Sequence, residues 1–137
     1  MKYRKLFSLA LTYMIIIGCS SDIEEMNEGE KYLAKKFRAE WSSIGLTQTE
    51  SKTNGKITEN RKFLDIIIKN SSDIDKIIYE NEYAKKQIKN VAQFVLDSIH
   101  FGEMSCKPEE IQVEFIKEDV FLIFKNETKR TMSYNIN

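Results

Sequence analysis

Proline, histidine and tryptophan each occur once in this chain of 137 residues, and cysteine occurs twice. Each scarcity removes a class of function. His100, Cys19 and Cys106 are few soft ligands for a metal, and the two cysteines lack zinc-site spacing. The sequence contains no Gly-rich phosphate loop, no two-histidine zinc helix and no serine elbow. It also lacks the ligand spacing of a calcium-binding EF-hand. No metal and no cofactor is therefore expected. The formal net charge is zero, with 21 basic and 21 acidic residues. No block of like charge forms a tail, and nucleic acid is not an expected partner on that balance. Internal repeats and low-complexity segments are absent too.

The N-terminus is the most informative stretch. Met1-Lys2-Tyr3-Arg4-Lys5 is basic, Leu6 to Ile17 is apolar, and Gly18 precedes Cys19. The apolar run falls short of the roughly 20 residues that span a bilayer. Lys2, Arg4 and Lys5 would hold the start of the chain at anionic cytoplasmic lipid. The order of these features resembles the signal peptide of bacterial lipoproteins, with Ile16-Ile17-Gly18-Cys19 as the lipobox. That resemblance implies a diacylglycerol on the Cys19 thiol, cleavage between Gly18 and Cys19, and usually N-acylation of the new terminus. Two or three acyl chains, at about 0.8 kcal/mol per buried methylene, make a stable anchor. An ordinary secretory signal or an uncleaved helical anchor are the competing readings. Ser20 is not the aspartate that retains some lipoproteins in the inner membrane. Ser20-Ser21-Asp22-Ile23-Glu24-Glu25 is similar to acidic signals that precede surface display in some lineages. The expected location is thus the bacterial cell envelope, lipid-anchored at the outer membrane, on its periplasmic side or at the surface.

On this reading residues 1–18 are the signal peptide, residues 19–28 the lipidated cysteine and tether, and residues 29–137 a single α+β domain. The portion after residue 18 keeps 18 basic residues against 21 acidic ones. With Cys19 acylated, Cys106 is the remaining thiol and no intramolecular disulfide can form.

Helical spacing of Leu33, Phe37, Trp41 and Ile44 predicts a helix over residues 28–43, with Gly45 as its left-handed cap. Core packing is the expected role of Trp41. Residues 46–62 are polar and threonine-rich around Asn54-Gly55, a strong hairpin signal; a long loop is the competing reading. Residues 63–68, apolar except at Asp65, read as a more central strand. Ser72 and Asp75 approximate a capping box for a second helix ending near His100, with Gly102 just beyond. Glu110 to Phe115 alternates as a strand with one wet face. A turn at Glu118-Asp119 would set Phe115 opposite Leu122 and Val113 opposite Phe124. Residues 131–136 alternate again, as an edge strand.

The sum is an antiparallel sheet of about four to five strands packed against two helices, in the order α-β-β-α-β-β. The layout is similar to the helix-on-curved-sheet arrangement of cystatin-like domains and many small envelope lipoproteins.

Chemistry is sparse. His100 and Cys106 are a nucleophile-and-base pair, with Asp97 or Glu103 as an orienting third group. A histidine at a helix end and a lone cysteine are also ordinary structural residues. The paired acids Glu24-Glu25, Glu109-Glu110 and Glu118-Asp119 read as solvated turns and strand ends; neighbours on a strand point to opposite faces. Ile116, Phe121 and Ile123 would share the sheet face opposite Phe115 and Leu122, and form an interaction patch if the helices cover only one face; cover by the N-terminal helix or a loop is the competing reading. The expected function is a non-catalytic binding module, held at the membrane by its lipid and contacting an envelope protein. The patch or the 46–62 hairpin would make that contact. A small-molecule or lipid carrier is the second expectation, and a cysteine hydrolase on Cys106 and His100 the third.

Overall fold

A computed structural model of the chain describes residues 25–98 and 108–136. It shows an α+β fold with four strands in one mixed sheet and three helices among the described residues. Helix α1 spans Glu28–Lys36. Asn27 caps it in a complete capping box: Glu30 N donates to Asn27 Oδ1 at 2.9 Å, and Asn27 N donates to Glu30 Oε2 at 2.8 Å. Glu28 and Glu30 at its start and Lys35 and Lys36 at its end complement the helix dipole.

The helix is shorter than its apolar spacing predicts. Arg38 takes φ = 50°, Arg38 N donates to Lys35 O, and Ala39 N donates to Ala34 O. These are the two bonds of a Schellman motif, built here on arginine instead of glycine. Gly45 consequently lies in a strand opposite Asp65, not at a helix end. Of the expected stripe, Leu33 is buried and Phe37 and Ile44 pack against the core from the side. Trp41 is half-buried, with Lys69 Nζ 5.0 Å from its ring centroid.

Strands β1 (Trp41–Thr53) and β2 (Lys56–Lys69) form one continuous hairpin. Asn54 and Gly55 make its turn, with φ of 54° and 77° as a type I′ turn requires. The predicted hairpin and the predicted central strand are therefore one element. Leu64, Ile66 and Ile68 face the helices, while Asp65 and Ile67 are half-exposed on the other face.

The second predicted helix is two. Helix α2 spans Ile74–Tyr79 and helix α3 spans Asn81–Ser98, with Glu80 extended between them (φ −109°, ψ 108°). Asp73 is the N-cap residue of α2, without a side-chain capping bond; its carboxylate accepts from Tyr83 Oη at 2.6 Å instead. Ala84, Ile88, Val91, Ala92 and Val95 bury one face of α3. Tyr32 and Phe37 meet Phe94, joining α1 to α3. The predicted helix end at His100 and Gly102 lies outside the described residues.

Because α2 and α3 connect β2 to strand β3 (Glu110–Phe121), those strands pair in parallel, from Phe63↔Glu110 to Lys69↔Ile116. The expected wholly antiparallel sheet is thus mixed, in the order β1-β2-β3-β4. Strand β4 (Phe124–Asn135) pairs antiparallel with β3. The turn falls at Leu122-Ile123, not at Glu118-Asp119. Phe115 therefore opposes Arg130 and Val113 opposes Met132. This register brings Met132, Tyr134 and Ile136 against the core, which a turn at residues 118–119 would not do. It also sets Lys125 Nζ 2.9 Å from Glu118 and Lys129 Nζ 3.5 Å from Glu114 across the ladder.

Candidate functional site

The strand register leaves two hairpin arms projecting from opposite ends of the sheet. β2 and β3 are parallel and share only residues 63–69 and 110–116. The β1–β2 hairpin runs past that shared segment at the start of β2. The β3–β4 hairpin runs past it at the end of β3.

The first arm is polar. Residues 48–61 are exposed along their whole length. Gln48 Nε2 donates to Asn60 Oδ1 at 3.2 Å, and Thr58 Oγ1 donates to Ser51 O at 3.1 Å. A register shift between Ser51 and Lys52 bends the ladder near its tip. At its base, Arg61 Nη2 lies 2.7 Å from Glu110 Oε2. Hydrogen bonds from Ser133 and then Arg61 hold the Glu110 carboxyl below its usual range.

The second arm is apolar at its tip. Val120, Phe121, Leu122, Ile123 and Phe124 are all exposed, Ile123 to 90%. Leu122 holds the turn with φ = 57°. Glycine or asparagine takes that conformation readily; leucine does not. Below the tip, Lys125 Nζ bridges Glu118 and Glu127 at 2.9 and 3.1 Å, and Lys117 Nζ lies 2.7 Å from Asp75. Asn70 clamps the base. Its backbone N donates to Ile116 O at 2.9 Å, its Oδ1 accepts from Glu118 N at 2.8 Å, and its Nδ2 donates to Glu40 at 2.7 Å.

The expected patch of Ile116, Phe121 and Ile123 is not brought together. Ile116 is buried at 3% exposure, while Phe121 and Ile123 stand at the hairpin tip. Sequence reasoning missed Val120, Leu122 and Phe124 because Glu118-Asp119 looked the better turn. Five consecutive apolar residues between charged neighbours were the available signal.

The open sheet face carries carboxylates. Burial, and then the neighbouring Glu114, push the Asp65 carboxyl above its ordinary value. Glu114 accepts from Thr131 Oγ1 at 3.1 Å. Among the described residues no cluster of His, Cys, Asp and Glu suits a metal ion. Of the paired acids, Glu118 is engaged by Lys125, and Asp119 lies 3.7 Å from Lys117. Asp97 is exposed and accepts from Gln93. Cys19, Glu24, His100, Glu103 and Cys106 lie outside the described residues. No described helix is long and apolar enough to cross a membrane.

The chain matches no family model, no curated protein and no solved structure.

Proposed function

We propose that this chain is a lipid-anchored cell-envelope protein acting as a non-catalytic binding module. Cys19 bears the lipid, and the polar ribbon of residues 48–61 contacts a partner. One observation carries the second half of this reading: the ribbon is exposed throughout and stands on a sheet whose other face is packed by three helices. A projecting two-stranded ribbon offers strand edges with free backbone donors and acceptors. An extended segment of another protein can add to such an edge as a further strand. The lipid raises effective concentration at the membrane, so a weak contact suffices. The lipobox residues Ile16 to Cys19 support the anchor.

Crosslinked co-purification from detergent-solubilised membranes tests both halves. Three proteins are compared: the native chain, Cys19→Ala, and a chain in which residues 50–60 are replaced by Asn-Gly. That replacement joins Thr49 to Arg61, which are already paired. The native chain is expected to capture a reproducible partner. The shortened chain is expected to stay in the membrane fraction and lose it. A partner retained by the shortened chain overturns the ribbon as the contact. Native protein without acyl mass, released from membranes by salt alone, overturns the anchor.

A further inference from the structure

We propose that the hairpin tip Val120–Phe124 enters the apolar margin of a phospholipid bilayer and sets how the protein stands on its membrane. The inference rests on the anchor reading above and adds a second, non-covalent membrane contact.

The shape of the tip selects the occupant. A strand that docks on a protein surface is apolar on one face, because its residues alternate. Here Phe121 and Phe124 form a cross-strand pair on one face of the hairpin, Val120 lies on the other face opposite Lys125, and Leu122 and Ile123 make the turn, all five apolar residues exposed. An apolar medium that wraps the tip from all directions matches that arrangement. The run ends abruptly in charge, with Lys117, Glu118 and Asp119 before it and Lys125 and Glu127 after it. From Val120 to the turn is two to three residues, or about 7–10 Å of strand, which is the depth of the headgroup and acyl boundary.

The tether leaves the fold in the right half of the molecule. Ser42 N donates to Met26 Sδ at 3.3 Å, and Ser42 shares a row of the sheet with Ile68 and Phe115. Phe121 lies six residues further along β3, about 20 Å on. From Met26 back to Cys19 is seven residues, which extend to at most about 25 Å. A lipid on Cys19 and the tip can therefore meet one membrane plane. The polar ribbon, at the other end of the sheet, then points away from it.

The charge beneath the tip decides the kind of surface. Lys117 and Lys125 are paired with Asp75, Glu118 and Glu127. Between residues 117 and 127 there are two lysines against three carboxylates. No excess of cations reaches for anionic headgroups, so apolar burial drives insertion and zwitterionic lipid suffices.

The test uses the full lipidated chain, reconstituted in phosphatidylcholine vesicles whose acyl chains carry bromine. Two proteins are compared, both with Trp41→Phe: one carries Phe121→Trp, the other Ile57→Trp on the polar ribbon. The indole at position 121 is expected to shift to the blue and be quenched by bromine. The indole at position 57 is expected to stay open to aqueous iodide. Floated protein whose position-121 indole meets iodide and not bromine overturns the tip insertion and leaves the anchor standing. An indole shielded from both marks a protein contact or a second copy, and overturns it too. Protein without acyl mass that does not float overturns the anchor and the insertion together; if it floats and is quenched, only the anchor falls. Hydrogen exchange on the unsubstituted chain guards against a folding defect. Amides 119–125 are expected to slow on vesicles, and unchanged exchange there counts against insertion.

Discussion

Asn70 fixes where the apolar arm leaves the sheet, and its removal is the most discriminating test of the architecture. Asn70 sits at φ = 49° between β2 and α2. Its side chain joins Glu118 N and Glu40, on segments 48 and 30 residues away. Each net hydrogen bond contributes about 0.5–1.5 kcal/mol, the partly buried one at the upper end. The left-handed backbone adds a second effect. Alanine at such a φ costs about 1 kcal/mol, asparagine less, and glycine almost nothing. Asn70→Gly removes only the hydrogen bonds, and should cost about 1–2 kcal/mol. Asn70→Ala removes the bonds and strains the backbone, and should cost about 2–3 kcal/mol. Urea unfolding at equilibrium, with unchanged slopes, reads both values. Equal losses for the two variants would refute the backbone half of the reasoning. Two neutral variants would refute the clamp. Hydrogen exchange should also rise at Glu118, whose amide loses its acceptor.

Replacing Leu122 by glycine relieves a positive φ at the tip, so the chain should gain about 0.5–1 kcal/mol in urea unfolding, while the proposed insertion of the tip into a bilayer should weaken. Arg38→Gly should likewise stabilise by about 0.5–1 kcal/mol, because the Schellman position then carries no side chain; a loss would show that arginine contacts outweigh the strain. Asp65 has a raised carboxyl, so its ionised form opposes folding as pH rises through the folded-state value. Asp65→Asn should therefore stabilise at pH 7, and the gain should disappear below the unfolded carboxyl's pKa of about 4, as thermal melts at the two pH values will show. Glu110 has the opposite sign: its lowered carboxyl contributes stability present above the unfolded value and lost as pH falls through the folded one. Ser133→Ala with Arg61→Met should flatten that acid limb of a melting-temperature profile.

Much of the local structure was legible in the residues. Asn54-Gly55 named its turn because both residues accept positive φ. The alternation of Ile111, Val113 and Phe115 named the core face of β3, and the spacing from Ala84 to Val95 named that of α3. Local patterns carry such information because each involves neighbours in one element. Leu33 to Ile44 misled for the same reason. Helical spacing continued across Arg38, and only the closed Schellman bonds and the pairing of Trp41 with Lys69 show where the helix stops.

The parallel pairing of β2 with β3 and the level of the second turn were not in any local pattern. Leu122-Ile123 is poor turn chemistry. It became the turn because Met132, Tyr134 and Ile136 reach the core only in that register, with Asn70 holding Glu118 at the exit. The residues by themselves determined the composition, the lipobox-like start and most of the strands and helices. Tertiary packing alone decided that Ile116 is buried and that Val120 to Phe124 stand together in the open. Burial depends on which distant strands pair, and that choice is made by the whole core at once.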